Sequence, residues 1–292
     1  MRELLTPKQV ARAIRVSESS VKRWCDNGAI PTRYTAGGHR RIPLCGLLDF
    51  LKASHYHLAD PEVLGLPAAG LRETRSLQAS AELLANALLA GDDAHCRQIL
   101  VELYLAEHSV SAICDGVLAK AFETIGHRWS CGEAEIYQER RGCEIALRNL
   151  YELRSLMNPA PPTAPRAIGA APAGDHYALP TTMAELVLQE AGWNAQSLGS
   201  NIPLETLRNA IRDQEPRLFW LSCTHLEQMD DFLPAYRSLH DEFSARVAFV
   251  VGGQALTESL RQQMPCTAWC SSMKQLETAA AQVGATPRSE VT

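Results

Sequence analysis

Residues Thr35 to Ile42 have the pattern of a glycine-hinged basic turn, which limits the folds open to the residues around it. Its adjacent glycines, Gly37 and Gly38, allow backbone conformations that a side chain would disfavour, so they predict a tight β-turn. The run His39-Arg40-Arg41 follows them directly. Cationic donors on a rigid turn suit phosphate oxygens or a minor-groove edge of DNA. The pattern therefore predicts a nucleic-acid contact, with a solvated hairpin as the alternative.

Two short helices are predicted just before this turn. Thr6 can cap the first helix, with Pro7 at its first position, and Ser17 can cap the second, which Asn27-Gly28 ends. A two-stranded ribbon with strands over 30–34 and 40–42 then carries the turn at its tip. This order predicts a winged helix-turn-helix whose second helix can enter a major groove. The second helix directs small hydroxyl and cationic side chains outward, namely Ser19, Ser20, Lys22 and Arg23.

The charge of the chain is distributed unevenly. Residues 1–55 hold ten Lys/Arg against four Asp/Glu, a net charge of +6, and the whole chain carries −5, which leaves −11 for the remainder. A basic head on an acidic body confines the attraction for polyanions to one end. We therefore expect the head to bind double-stranded DNA. The acidic remainder, which would act as a sensor, is expected not to bind it.

The rest of the chain divides into a helical region and an α/β region, each preceded by a linker. Residues 56–70, with prolines and glycines from Pro61 to Gly70, lack sustained periodicity and predict a linker. Four helices with short connections predict a four-helix bundle over 71–157, beginning at Leu71. A Pro-rich linker over 158–165 precedes short strands that alternate with long helices over 166–292. This alternation predicts a doubly wound parallel sheet of the flavodoxin-like type. The predicted fold class is therefore multidomain, α and α/β.

Ligands of doubly wound sheets bind at the carboxyl ends of the strands. We expect four segments to meet at that edge: Gly174 to Pro180, Leu198-Gly199, Ser222-Cys223-Thr224 and Gly252-Gly253.

The third predicted helix of the bundle and the connection after it have distinct patterns. The connection, Gly126 to Glu133, contains Trp129 among small and polar residues. Such an aromatic side chain can plug the core or cover a ligand, and the pattern favours a core plug. The helix itself has one apolar face formed by Val110, Ile113, Val117, Ala121 and Ile125.

Composition predicts a cytoplasmic protein that does not enter membranes. No apolar run approaches the length that spans a bilayer, and the N-terminus lacks the hydrophobic stretch of a signal peptide. The nine cysteines contain no Cys-x-x-Cys pair, and the nearest two, Cys266 and Cys270, have three residues between them. We interpret them as reduced thiols, and no metal site is assigned.

Residues 4–51 resemble the winged-helix DNA-binding domain of the MerR family, and Gly-Gly-His-Arg-Arg-Ile resembles the wing signature of that family. The resemblance implies a homodimer, or a higher oligomer, that binds a double-stranded operator. It places Ser19, Ser20, Lys22 and Arg23 in the major groove. The implied wing contacts to DNA are Arg33, His39, Arg40 and Arg41.

The bundle and the α/β region are similar to the cobalamin-binding module of methionine synthase. Behind a MerR-type head they resemble the CarH/LitR group of light-sensing regulators, which use adenosylcobalamin. The landmarks are Leu198 to Pro203, Ser222-x-Thr224 and Val251-Gly252-Gly253. The resemblance implies a sensor pocket formed by Trp129, Glu139, Arg140, His176, Tyr177, Ser222, Thr224, Gly252 and Gly253.

The chain departs from this family at its metal ligands. The family pattern is acid-x-His-x-x-Gly, in which the His binds cobalt, but here Tyr177 takes the ligand position and Pro180 replaces the glycine. His176 stands one residue early. On the upper face, Arg140 follows Glu139 where the photoreceptors have His, and Ser130 stands where a second His can occur. A neutral phenol, with a pKa of about 10, is a poor cobalt ligand near neutral pH.

We therefore expect a DNA-binding transcriptional repressor, not an enzyme, whose sensor has lost the cobalt-ligating His. Cobalamin would bind weakly, base-off or not at all, and another small molecule or a partner protein would act as effector. One alternative is an adenosylcobalamin-dependent light-sensing repressor. A second is a haem-binding regulator that uses His176 or another histidine or cysteine, with Cys131, His127 and His225 as candidates by residue type. A cobalamin-dependent mutase or methyltransferase is disfavoured because no catalytic substrate domain is recognised.

Overall fold

The computed structural model describes residues 4–67, 76–227 and 229–285. Gly70 in the predicted linker, Leu71 at the start of the predicted bundle and residues 286–292 lie outside these ranges. The contact pattern divides the chain into two compact units, one formed by 1–108 with 124–158 and the other by 109–123 with 159–292. No helix within the described ranges is long and apolar enough to cross a membrane.

The head of the first unit is a winged helix-turn-helix, as predicted. Its elements are β1 (Leu4–Leu5), α1 (Pro7–Ala13), α2 (Glu18–Asp26), β2 (Arg33–Tyr34), β3 (Arg40–Pro43) and α3 (Leu44–Ala53). Thr6 caps α1 in a capping box with Gln9, and the Ser17 side chain accepts from Ser20 N at the start of α2. The predicted caps are therefore confirmed.

The small antiparallel sheet of the head differs from the predicted ribbon. Its strand order is β1-β3-β2, and the pairing of Leu4–Leu5 with β3 was not predicted. The first ribbon strand is shorter than the expected 30–34. Fully buried Ile30 instead donates its N–H to Trp24 O, 3.1 Å away, and so ends α2.

Part of the predicted linker packs against the head. A 3-10 turn, Pro61–Leu64, follows α3, and Pro61 and Leu64 are buried. The backbone N–H groups of Ala59 and Asp60 donate to Ala13 O at 2.8 and 3.0 Å. These contacts satisfy the C-terminal carbonyl of α1, which explains why a stretch without periodicity is ordered.

Helices form at all four positions predicted for the bundle. Three of them, α4 (Leu77–Ala90), α5 (Asp93–Leu105) and α8 (Ile136–Arg154), pack pairwise. The third predicted helix consists of α6 (Val110–Ile113), a π-helical turn (Cys114–Leu118) and α7 (Ala119–Ser130). Its predicted apolar face is confirmed, since Val110, Ile113, Val117, Ala121 and Ile125 are all fully buried.

The prediction that Trp129 plugs the core is wrong. The segment from Gly126 to Ser130 belongs to α7 and is not a loop. Ile125 is the last buried residue of this helix, which continues for more than a turn beyond it. Trp129 therefore lies on the surface with 53% of its area exposed, and it contributes nothing to the core.

The α/β part of the second unit is a doubly wound parallel sheet, as predicted. Its strands are β4 (Arg166–Ala170), β5 (Asn194–Ser197), β6 (Leu218–Ser222), β7 (Ala248–Gly252) and β8 (Ala268–Cys270). They pair in parallel in the order β5-β4-β6-β7-β8, the flavodoxin-like order. The intervening helices are α9 (Ala178–Glu190), α10 (Leu204–Gln214), α11 (Met229–Phe243), α12 (Glu258–Arg261) and α13 (Met273–Ala285).

The two faces of this sheet are covered by different helices. Leu207 of α10 and Tyr236, Leu239 and Phe243 of α11 pack with Phe219 and Phe249 on one face. On the other face α9 contacts β4, β5, β6 and α13. Both faces are therefore covered by helices, which leaves the carboxyl ends of the strands as the place where ligands of such folds bind.

Candidate functional site

The outward surface of α2 carries the predicted groove-facing residues. Val21 and Cys25 are buried on the opposite side, which leaves Ser19, Lys22 and Arg23 exposed and Ser20 half-buried. Three of these residues also have local partners. The Ser17 hydroxyl lies 2.8 Å from Ser19 Oγ and 2.9 Å from Ser20 Oγ, and Lys22 pairs with Glu18 at 2.8 Å. Lys22 and Arg23 supply the cations of this surface.

The wing has the tight turn that its glycines predict. Gly38 adopts φ 73° and donates its N–H to Thr35 O at 2.9 Å. Thr35 N in turn donates to His39 O at 3.0 Å, which closes the turn. A residue with a side chain at Gly38 would be strained in this left-handed conformation. Arg33 and His39 are exposed, whereas Arg41 is half-buried with its Nη1 on Arg40 O at 3.0 Å.

Arg40 joins the wing to α2. Its Nη2 donates to Asp26 Oδ1 at 2.6 Å, and its guanidinium lies 5.9 Å from the Tyr34 ring centroid. The hydrogen bond to Asp26 raises the pKa of Arg40 above its ordinary value. The sequence-based prediction missed Asp26, for which the only signal was an acid at the end of a basic helix.

Three aromatic rings pack together where α2 meets α3 and the residues that follow it. Trp24 of α2 lies 4.9 Å from Phe50 of α3 and 4.8 Å from Tyr56, with Phe50 and Tyr56 6.0 Å apart. Such contacts between rings orient α2 on α3 and stabilise both helices. The second helix and the wing are therefore held by two independent sets of contacts.

In the second unit, the fully buried Asp175 ties together loops at the carboxyl ends of the strands. Its Oδ1 accepts from Tyr177 N at 3.0 Å, and its Oδ2 accepts from Thr224 N at 2.6 Å and His225 N at 3.1 Å. Asn201 completes the connection, because its N–H donates to Asp175 O at 2.8 Å. A buried carboxylate is stable when hydrogen bonds compensate its lost hydration.

The remaining predicted residues at this edge are also brought together. Ser222 is buried, Thr224 is half-buried, and Gly252 O accepts from Cys223 N at 2.7 Å. Gly253 adopts φ 122°, and a Cβ there would lie 2.1 Å from Cys223 O. Only glycine therefore fits this position of the β7 loop.

The two loop residues that concern metal binding differ in their exposure. His176 is exposed and Tyr177 is half-buried at the cap of α9. The carboxylate of Asp175 is occupied by backbone N–H groups. Across the ranges that the structure covers, no group of three or more His, Cys, Asp or Glu side chains is arranged to hold a metal ion.

Trp129, Glu139 and Arg140 belong to the first unit. Arg140 Nε lies 3.5 Å from Glu139 Oε2, and Cys143 Sγ donates to Glu139 Oε1 at 3.4 Å. Burial raises the pKa of Cys143 to about 12, so its thiol is protonated at neutral pH. Glu139 is thus engaged by its own helix.

The histidines and cysteine named for a haem lie in different units. Cys131 Sγ is 3.9 Å from His127 Nδ1 at the exposed end of α7. His225 follows β6, is exposed, and lies 3.8 Å from Glu227. All nine cysteines are free thiols.

Comparison with known proteins matches three parts of the chain to known domain families. Residues 4–55 match a helix-turn-helix domain, and both 80–151 and 165–271 match B12 binding domains. The chain is similar to a helix-turn-helix domain at its head and to B12 binding domains in the two segments that follow. The order of the matches is that of the head, the helical region and the α/β region.

One curated relative combines DNA binding with repression. The chain is 28% identical over 154 residues to the HTH-type transcriptional repressor CarA of Myxococcus xanthus, which corresponds to 52% of this chain and 50% of the relative. The match therefore spans about half the length of that protein. Among solved structures, the monomethylamine corrinoid protein of Methanosarcina barkeri aligns with a TM-score of 0.59 and 15% identity, over 71% of this chain and 100% of that one. This likeness concerns the fold.

The donor set at the strand ends does not fit a cobalt ion bound by histidine. The loop offers a tyrosine where the resemblance requires an imidazole, and the neighbouring His176 is exposed at the preceding position. Asp175, the acid that would orient such an imidazole, instead binds Tyr177 N, Thr224 N and His225 N. The segment that matches a B12 binding domain therefore lacks the imidazole of the family pattern.

Proposed function

We propose that this chain is a cytoplasmic, MerR-type repressor that binds operator DNA as a homodimer or a higher oligomer, and that it is not an enzyme. The observation that carries the proposal is the Arg40–Asp26 contact, which makes the wing and α2 one rigid basic surface. Rigid contacts at two points define register on a duplex better than either point alone. The helix-turn-helix match and the likeness to a repressor support this assignment.

Within this surface we assign α2 to the major groove and the wing to the adjacent backbone. Lys22 and Arg23 are the cations that α2 presents, and Ser19 is a small donor beside them. Arg33, His39 and Arg41 would contact phosphates or the minor groove, while Arg40 both contacts DNA and fixes the wing. Two such heads in a dimer would recognise two half-sites at the spacing set by the oligomer.

For the sensor we propose a corrinoid-type effector that is held without a cobalt–histidine bond. The two B12-binding matches and the flavodoxin-like sheet support a corrinoid site. The loops around Asp175, Ser222 and Gly253 would line that site, and the exposed side chains at their tips would contact the edge of the ring. A bound effector alters repression only if it favours one arrangement of the two heads over another.

The test has two parts that use the purified full chain. Selection from a random-sequence duplex pool, followed by gel-shift titration, should yield a two-fold symmetric site. Enrichment of no sequence would contradict sequence-specific binding. Adenosylcobalamin is then added in the dark, and the protein is gel-filtered before and after illumination. Tight stoichiometric binding with a light-dependent change of oligomeric state would instead establish the light-sensing alternative.

A further inference from the structure

The side chain of Trp220 packs on one face of the sheet, two residues before the carboxyl end of β6. The indole of Trp220 rests on Gly169 of the neighbouring strand, where an added Cβ would lie 2.0 Å from the ring. Its Nε1 donates to Thr181 Oγ1 at 3.0 Å, and Thr181 Oγ1 lies 3.1 Å from Ser197 Oγ. Trp220 is 2% exposed, so the ring is enclosed between β4, β6 and α9.

The indole of Trp220 lies on the face of β6 that leads along the strand toward the proposed corrinoid site. Gly169 is the register partner of Trp220 in the parallel β4–β6 pair. Side chains two residues apart in a strand share a face, so Ser222, at the end of β6, lies on the same face about 7 Å further along. The indole therefore occupies the space between Gly169 and the Thr181 hydroxyl, on the face of the sheet that Ser222 continues to the strand end.

A complete cobalamin needs additional space in such a site, because it carries a lower nucleotide that a simpler corrinoid lacks. Its lower nucleotide ends in dimethylbenzimidazole, a fused six- and five-membered aromatic ring. When this base leaves the cobalt, the protein must accommodate it. The indole of Trp220 is also a fused six- and five-membered ring, and its N–H already binds the hydroxyl of Thr181.

We infer that Trp220 determines which corrinoids the crevice accepts: it excludes base-off cobalamin and selects corrinoids without the lower nucleotide, of the cobinamide type. The inference rests on the proposed corrinoid-type sensor and names its ligand class. This ligand class also explains the tyrosine at position 177. An imidazole is needed only where it replaces the base of base-off cobalamin, and this site excludes that form.

The decisive measurement needs no variant. Dicyanocobinamide and hydroxocobalamin are titrated separately into the wild-type full chain, followed by gel filtration and the visible spectrum of the protein peak. We expect cobinamide to bind at least tenfold more tightly. Equal affinity, or retention of hydroxocobalamin with a base-off spectrum, would overturn the assignment of Trp220. Retention of neither probe would overturn the ligand class.

Variants then test whether Trp220 is the cause. Trp220→Ala should raise the affinity for hydroxocobalamin at least tenfold and leave that for cobinamide within about threefold. Trp193→Ala is the matched control. Trp193 is also 2% exposed, but it precedes β5 and so lies at the amino ends of the strands, away from the proposed site. Trp220→Leu keeps an apolar side chain and serves if the alanine variant does not fold. An equal gain in the Trp193 variant, or no gain in either Trp220 variant, would contradict the inference.

Failure of this inference can be distinguished from failure of the proposed function. Gel-shift titration on the selected duplex measures DNA binding by the same protein preparations. If Trp220 does not discriminate between the two corrinoids but both bind and change operator affinity, the proposed function stands and only the role of Trp220 is wrong. If neither corrinoid binds while the operator does, the corrinoid part of the proposed function fails and the DNA-binding part remains.

Discussion

Arg40 Nη2 lies 2.6 Å from Asp26 Oδ1, so the wing is fastened to the last turn of the second helix. The guanidinium also lies near the Tyr34 ring, and its Nε is buried without a hydrogen-bond partner in the described structure. The Arg40 guanidinium is thus held by two neighbouring groups, the Asp26 carboxylate and the Tyr34 ring, before any DNA is bound. A contact that is oriented in advance costs less entropy on binding.

Asp26→Asn should weaken specific DNA binding severalfold. The substitution removes a negative charge beside DNA, so electrostatics alone would strengthen binding. Loss of the hold on Arg40 acts in the opposite direction by freeing the wing. Gel-shift titration on the selected duplex measures the sum, and Glu18→Gln on the same helix is the control for charge. Tighter binding by Asp26→Asn would show that the contact does not position the wing.

Arg40→Ala combined with Arg41→Ala should abolish operator binding while the protein stays folded. Each phosphate contact contributes roughly 0.9 to the slope of log K against log salt, so residual binding should show a slope lower by about 2. Titrations at several salt concentrations give the slope, and circular dichroism monitors folding. Lys274→Ala, an exposed lysine of the second unit, should leave affinity unchanged. Wild-type affinity and slope in the double variant would refute the wing assignment.

Asp175→Asn should destabilise the second unit by about 2–3 kcal/mol. The fully buried carboxylate accepts three backbone N–H groups, and an amide retains only one acceptor oxygen and introduces donors that lack partners. Urea unfolding followed by far-ultraviolet circular dichroism measures the change in the free energy of unfolding. Asp231→Asn, on the exposed first turn of α11, should stay within about 0.5 kcal/mol of wild type. A similar effect of both substitutions would exclude a specific role for Asp175.

Alkylation at pH 8 should modify Cys131 well before Cys96, which is buried, and Cys143 and Cys266, which are half-buried. Burial raises the pKa of Cys96, Cys143 and Cys266 to about 12, so their reactive thiolate is scarce until the pH approaches that value. Cys131 is exposed at the end of α7. Mass spectrometry after a short iodoacetamide pulse at pH 8 identifies the modified positions. Early modification of Cys143 would indicate that α8 opens in solution.

Tyr177→His combined with Pro180→Gly supplies the imidazole and the glycine of the family pattern, and it should raise the affinity for cobalamin when Trp220→Ala is added, since the displaced base then has space. With Trp220 in place, the same two substitutions should give little gain. Visible spectra during hydroxocobalamin titration report both binding and cobalt ligation. No gain in the triple variant would indicate that another feature closes the site.

Several features of the fold were predictable because they depend on neighbouring residues. The helix caps at Thr6 and Ser17 and the glycine turn around Gly38 follow from local hydrogen bonds and backbone preferences. The alternation of strands and helices also identified a doubly wound sheet. Trp129 was misplaced because periodicity indicates which face of a helix is apolar, but not where the core ends along its length.

The order of the domains, the winged helix-turn-helix, the parallel α/β region and the tyrosine at position 177 could all be inferred from the residues alone. The folded chain was needed to show that Asp26 holds Arg40, that Asp175 binds the loop after β6 through Thr224 and His225, and that Trp220 fills the space over Gly169. These contacts escaped prediction because their residues are far apart in the chain. Caps and turns are set within a few residues, whereas these contacts join positions 14 to 51 residues apart, which meet only when the core is packed.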